Sequence, residues 1–270
     1  MKEFLIRTIS GILFVFVVIS SILAHELSFL LLFLLILVFS LNEYYRLLYK
    51  IKFHPYRPAS IIAGTFLFLL NYLVAAGTVE QEFLMINLAV LLMFPALPLF
   101  YSPKSFTGSL ISSLSGWIYI VLPLSLVPFL AFRGKEYHPE LVLGSFAVIW
   151  INDSLAYVTG TLIGKHRMFP SISPRKSWEG FTGGLILTLA ATPLLAYLFP
   201  VYNYVQWGIL SLVIIITGTA GDFMESALKR NARVKDSGIL MPGHGGFLDR
   251  FDSFIFSISF VFLYYKLFLI

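Results

Sequence analysis

The sequence predicts an all-α, polytopic integral membrane protein with about nine transmembrane helices, on three observations. Hydrophobic residues make up 58% of the 270 positions and charged residues only 12%, whereas soluble domains carry about 45–50% apolar and about 25% charged residues. The apolar residues fall in long runs, most near the roughly 20 residues that a helix needs to cross a ~30 Å hydrocarbon core. Lysine and arginine are biased to alternate connections. This composition excludes a water-soluble globule, a disordered chain and a nucleic-acid binder with a broad basic face. The ten-residue alternating segments of an outer-membrane barrel are absent. There is no cysteine, so thiolate nucleophiles, disulfides and zinc–thiolate sites are excluded, and any metal must use oxygen or imidazole ligands.

Nine stretches run near 8–24, 28–42, 59–77, 84–101, 107–132, 140–163, 180–199, 205–228 and 251–268. The first follows Lys2 and Arg7 and reads as a span, because no small-residue cleavage site or polar start follows it. The second is short. The fifth holds Pro123 and Pro128 and is expected to kink. Longer connections fall at 43–58, 164–179 and 229–250. With the N-terminus inside, sixteen of the 19 lysines and arginines lie on inner segments, and only Arg133, Lys135 and Lys266 lie on outer ones. That bias places the N-terminus and the polar loops on the cytoplasmic side of the cell membrane. Residues 1–139 read as scaffold helices and 140–270 as the catalytic part. In the scaffold, Glu43 and Arg46 stand at a span end and read as a juxtamembrane charge pair. No internal repeat is evident, which argues against an inverted-repeat transporter.

The polar residues gather in the last 120 positions. Span six carries Trp150-Ile151-Asn152-Asp153-Ser154, and Asp153 lies well inside an apolar run. A carboxylate at the bilayer centre costs on the order of 2.5–3.5 kcal/mol, so Asp153 and Asn152 are expected to face a bundle interior or a watery cavity. The run Gly160 to His166 is one residue short of a P-loop and lacks Ser or Thr after Lys165, so that reading is rejected. The next loop offers Arg175 and Lys176 to an anionic headgroup or phosphate, followed by Glu179. Span eight ends with Asp222, then Lys229 and Arg230; the loop carries Lys235, Asp236, His244, Gly245 and Gly246 before Asp249, Arg250 and Asp252. Asp249 and Asp252 are three apart, so on a helix they share one face. Asp222, Asp249 and Asp252 suit a hard cation such as Mg²⁺. With the cations between Lys229 and Lys235, they suit phosphoryl or nucleotidyl transfer, where positioning and charge stabilisation dominate. His244 is a further catalytic candidate.

At these residues the chain resembles the phosphatidate cytidylyltransferase family, also called CDP-diacylglycerol synthases. The family signature is matched by Ser226, Lys229, Arg230, Lys235, Asp236, Gly238, Pro242, His244, Gly245, Gly246, Asp249, Arg250 and Asp252. Asp153-Ser154, Gly164-Lys165-His166 and the run from Ser173 to Gly180 also look like the family, so the resemblance covers about 150–253. Thr161 departs from it, standing where relatives often carry Lys or Arg. The resemblance implies that phosphatidate and CTP give CDP-diacylglycerol and pyrophosphate, with Mg²⁺, alone or joined by a second cation such as K⁺, and it implies a homodimer. It assigns the metal to Asp222, Asp249 and Asp252, and the triphosphate to Lys229, Arg230 and Lys235. Substrate contacts are expected from Asn152, Asp153, Arg175, Lys176, Glu179, Asp236, Gly245, Gly246 and Arg250. Two other readings use the same residues: a CTP-dependent kinase of a membrane lipid such as polyprenol, and an ion transporter built on Asp153 and Asp222. A CDP-alcohol phosphotransferase would need an Asp-Gly-x-x-Ala-Arg start, which is absent.

Overall fold

The structure is a computed structural model that describes residues 2–94, 106–238 and 245–268, with side chains from residue 8 onward. Helix α1 (Lys2–Ala24) is followed directly by α2 (Glu26–Lys50), and the His25 ring between them accepts a hydrogen bond from the Leu27 amide at 3.1 Å. Helix α2 starts before the apolar stretch 28–42 and outlasts it. Residues 43–50, expected as connection, stay helical because Tyr45, Leu47 and Leu48 bury against the core. Helix α3 (Arg57–Ala75) opens with Pro58 in its first turn, where the missing N–H costs nothing. A 3₁₀ turn (Gln81–Leu84) leads into α4 (Met85–Met93).

Helix α5 (Phe106–Ala131) runs through Pro123 and Pro128 as one span. It widens into one π turn, Trp117–Val121, just before Pro123. A proline ring crowds the carbonyl four residues back and offers no N–H, and the wider turn accommodates both. A two-stranded hairpin, β1 (Phe132–Arg133) with β2 (Glu136–Tyr137), joins α5 to α6 (Glu140–Ile163). A second hairpin, β3 (Arg167–Phe169) with β4 (Ser173–Ser177), precedes α7 (Trp178–Ala190), whose N-cap Ser177 accepts from the Gly180 amide at 3.1 Å. Helix α8 (Thr192–Leu198) continues α7 after a 48° bend, with Pro193 in its first turn. Helix α9 (Tyr204–Asn231) starts with a capping box between Asn203 and Gln206. Helix α10 (Leu248–Phe268) ends the described chain.

Among the described residues, α2, α3, α5, α6, α9 and α10 are long and apolar enough to cross a membrane, and the bent pair α7–α8 makes a seventh if counted as one span. The apolar helices Thr8–Ala24 and Gln81–Met93 are shorter. The predicted stretch 84–101 runs partly outside the described residues. Six to seven spans are therefore present where the sequence placed them, and the count of nine is not reached by length alone. Large apolar side chains such as Ile62, Met85 and Leu162 point outward, as a lipid-facing belt requires and a water-facing one does not.

Helix α10 is the packing centre and touches α2, α5, α6 and α9. Phe254 stacks on Phe146 with centroids 4.0 Å apart and leans on Phe33 at 5.9 Å, while Phe251 meets Phe14 at 5.4 Å. Helices α9 and α10 approach closely at Gly221. A Cβ there would stand 2.5 Å from the Phe256 Cβ and 2.8 Å from the Asp252 carbonyl oxygen. Small residues at such crossings let two backbones meet. Gly221→Val is therefore expected to push α9 from α10 and destabilise the protein by about 1–3 kcal/mol, read as a lower thermal unfolding midpoint in detergent.

Candidate active site

On α9, Asp222, Glu225, Ser226 and Lys229 recur at the three- and four-residue spacing of one helix face. That face looks onto the first turn of α10, where Asp249 and Asp252 stand. Carboxylate oxygens of Asp222, Glu225 and Asp252 lie within 4.8 Å of one another. Glu225 and Asp252 are buried, at 1% and 8% exposure. The close approach at Gly221 puts them together, because it brings the Asp252 backbone against α9 one residue before Asp222. Behind the cluster, the π turn of α5 presents Tyr119, whose hydroxyl donates to the Gly221 carbonyl at 3.3 Å.

Two lysines compensate this negative charge. Lys229 Nζ sits 2.5 Å from Glu225 Oε2 and 2.6 Å from Asp249 Oδ1. Lys176, from β4, makes an ion pair with Asp222 and lies 5.0 Å from the centroid of the Phe223 ring. Ser226 Oγ donates to the other Asp222 oxygen at 3.2 Å.

Asp249 is placed differently from Asp222 and Asp252. Its Oδ2 accepts from the Ser237 amide (2.8 Å), the Ser237 hydroxyl (2.9 Å) and the Gly246 amide (2.8 Å). It thus closes the loop between α9 and α10 and faces Lys229, while Glu225 joins the other two aspartates. Gly245 has φ +83°, and a Cβ there would stand 2.7 Å from Asp249 Oδ2, so this turn accepts no side chain. Glu43 is fully buried and is not the surface partner of Arg46 that its position suggested. Its Oε2 accepts from the Ser237 hydroxyl (3.0 Å) and the Leu248 amide (2.9 Å), and its carboxylate lies against Gly238 and Gly246. The extension of α2 past the apolar stretch is what carries Glu43 to this loop.

The remaining expected residues are spread around this centre. Asp153 interacts electrostatically with Lys176, Asp222 and Arg250. Together with Asp249, Arg250 and Asp252 it lines a cavity of about 520 Å³ whose other walls are mostly apolar side chains of α1, α2 and α6 with Phe247 and Phe251. Asn152 is buried, and its Oδ1 lies on the α7 side, where a Cβ on Gly184 would stand 3.0 Å away. Glu179 accepts from the Lys165 and His166 amides at 3.0 and 3.1 Å and meets His166 Nδ1 at 2.5 Å, which fastens the end of α6 to the start of α7. Arg230 is taken up by backbone, donating to the carbonyls of Ile172 (3.2 Å) and Val234 (3.0 Å). Arg175, Lys235 and Asp236 are exposed around the site. His244 lies outside the described residues. The residues missed from the sequence are Glu225, Glu43 and Tyr119. Glu225 had a signal, standing three residues after Asp222 and four before Lys229.

All three clustered carboxylates are hard oxygen donors, and Glu225 is buried with Oε2 paired to Lys229 and Oε1 without a hydrogen-bond donor among the described residues. Buried polar atoms left without partners call for an ion or other ligand. A hard divalent cation fits this donor set.

Fold and site define a multi-pass membrane protein with an acidic, lysine-bordered centre of the kind that phosphate-transfer chemistry uses. The chain belongs to the cytidylyltransferase family, whose profile matches residues 5–268. It is similar to proteins named phosphatidate cytidylyltransferase from three staphylococci. The Staphylococcus saprophyticus protein is 50% identical over 117 residues, 43% of this chain and 45% of that one. For Staphylococcus haemolyticus the identity is 47% over 130 residues, 47% and 49% of the two chains. For Staphylococcus aureus it is 46% over 117 residues, 43% and 45%. The chain thus spans just under half the length of the curated relatives it matches.

Glu43→Ala is expected to strand the buried Leu248 amide and loosen the loop, costing about 1–3 kcal/mol. Glu43→Gln keeps an acceptor oxygen and is expected to cost less. Thermal midpoints and limited trypsin cleavage at Lys235 read both effects.

Proposed function

We propose that the protein is a phosphatidate cytidylyltransferase acting at the cytoplasmic face of the cell membrane. In this reaction a phosphatidate oxygen attacks the α-phosphorus of CTP, the bond from that phosphorus to the bridging oxygen breaks, and pyrophosphate leaves with CDP-diacylglycerol formed. The observation that carries the reading is the cluster of Asp222, Glu225 and Asp252 bordered by Lys176 and Lys229, in a chain of the cytidylyltransferase family. The adjoining cavity supports a lipid substrate, since apolar walls suit acyl chains and its polar end carries Arg250, Asp252 and Asp153. Family membership and the named relatives favour this over a lipid kinase. The inner bias of lysine and arginine supports the cytoplasmic side.

Each residue then has a role of its own. Asp222, Glu225 and Asp252 would hold Mg²⁺, which supplies charge neutralisation for the phosphates. Lys176, on a strand beside the cluster, can turn its ammonium from Asp222 to a phosphate oxygen. Exposed Lys235 and Arg175 attract the triphosphate from solvent. Lys229 and Asp249 hold α9, α10 and the intervening loop in register. A phosphate monoester is already anionic near neutral pH, so no general base is required.

The test uses the full chain in detergent with phosphatidate, Mg²⁺ and CTP labelled in the cytidine ring or at the γ-phosphate. Cytidine label is expected in the lipid extract and is expected to vanish with EDTA. γ-Phosphate on an added lipid alcohol without cytidine label would instead assign a kinase. Glu225→Gln and Asp252→Asn are expected to raise the Mg²⁺ needed for half-maximal rate by about tenfold or more. Asp249→Asn is expected to lower the thermal midpoint with a smaller change in Mg²⁺ requirement. The reverse pattern would return Asp249 to the ligand set in place of Glu225.

A further inference from the structure

A second polar cavity lies at the far end of the molecule. Lys266 marks it, fourteen residues beyond Asp252 on α10 and so about 21 Å along the helix. The cavity encloses about 1210 Å³ between the ends of α3, α5 and α10, the start of α4 and the β1–β2 hairpin, more than the ~300–1,000 Å³ of ordinary small-molecule sites. Arg133, Lys135 and Lys266 all line it. These are the same three cations that the sequence leaves on outer segments, so every basic residue predicted for that side converges on one cavity.

No carboxylate of the described residues neutralises these cations. Glu80 and Glu82 also line the cavity, but both are exposed at its rim, and neither makes an ion pair with Arg133, Lys135 or Lys266 among the described residues. Arg133 Nε and Nη2 are buried and have no hydrogen-bond acceptor among the described residues. Those two nitrogens form one edge of the guanidinium, the fork that grips two oxygens of a phosphate or carboxylate. A buried donor pair with no acceptor is costly and calls for one.

The hairpin turn is built to hold its lysine there. Gly134 and Lys135 both have positive φ, +55° and +80°, as a two-residue turn of this type demands. Side chains rarely adopt that conformation. The Lys135 stem lies across Gly77, itself at φ +70°, and any side chain at position 77 would collide with it. Lys266 lies 5.7 Å from the Phe262 ring centroid and 5.9 Å from that of Tyr265. The lining also includes the apolar side chains Leu84, Leu126 and Phe129.

We propose that this cavity is a second anion site, opposite the carboxylate centre, that takes the phosphate group of an anionic amphiphile. The guanidinium edge of Arg133 grips two phosphate oxygens, Lys135 and Lys266 border it, and the apolar wall takes the upper part of the hydrocarbon. A lipid headgroup and free phosphate share this chemistry, and the test separates them.

Thermal unfolding of the full chain in detergent is measured with phosphatidylglycerol, phosphatidylcholine or inorganic phosphate, for wild type, Arg133→Gln, Lys266→Gln and Lys176→Gln. Phosphatidylglycerol is expected to raise the midpoint of wild type and of Lys176→Gln, since Lys176 belongs to the other site. Arg133→Gln is expected to weaken the effect by about tenfold or more in lipid concentration, as loss of charge-assisted hydrogen bonds implies, and Lys266→Gln by less. If Arg133→Gln fails to fold, Arg133→Lys keeps the charge, loses the fork and is expected to bind more weakly. Stabilisation by phosphate alone, lost in Arg133→Gln, assigns a free anion; stabilisation by phosphatidylglycerol but not phosphate assigns the lipid. Equal stabilisation by phosphatidylcholine, or an effect of phosphatidylglycerol that survives in both Arg133→Gln and Lys266→Gln, overturns the proposal.

Discussion

The ammonium of Lys229 stands between two carboxylates, Glu225 on its own helix and Asp249 on the next, at 2.5 and 2.6 Å. Taking such ions out of water costs several kcal/mol each, and only close pairing with further hydrogen bonds repays it. The structure supplies those bonds outward from this one contact. Asp249 gathers Ser237 and Gly246, and Glu43 takes the Ser237 hydroxyl and the Leu248 amide. A connected set of bonds thus runs from α9 through α10 and the intervening loop to α2. Removing one member leaves the rest buried without compensation, so the loop and the helix ends hold their places together.

The same arrangement explains why the acidic cluster lies at a helix crossing. Asp222, Glu225 and Asp252 come from two helices, and like charges at this spacing are tolerated only where cations answer them. Lys176 reaches the cluster from the β3–β4 hairpin and Lys229 from within α9. Residues far upstream also take part, since Glu43 on α2 and Tyr119 on α5 touch the loop and the crossing. The amino-terminal helices are therefore more than an apolar support. Tyr119 reaches the Gly221 carbonyl from within the π turn that precedes Pro123.

The sequence by itself determined the membrane class, the position of the helices and the residues that crowd one end of the bundle. Those properties follow from composition and from the length of apolar runs, which are local and additive. It also picked out residues that the structure brings near one another, because Asp222, Lys229, Asp249 and Asp252 sit within thirty-one residues on two adjacent elements. Only the tertiary structure decided which carboxylates meet. Helical spacing fixes which residues share a face of one helix, but the distance between two helices depends on where they cross. Here that point is Gly221, which joins Glu225 to Asp222 and Asp252 and leaves Asp249 to the lysine and the loop. Glu43 was illegible for the same reason. Its partners, Ser237 and Leu248, lie about two hundred residues away in the chain, and no local pattern records a contact made across that separation.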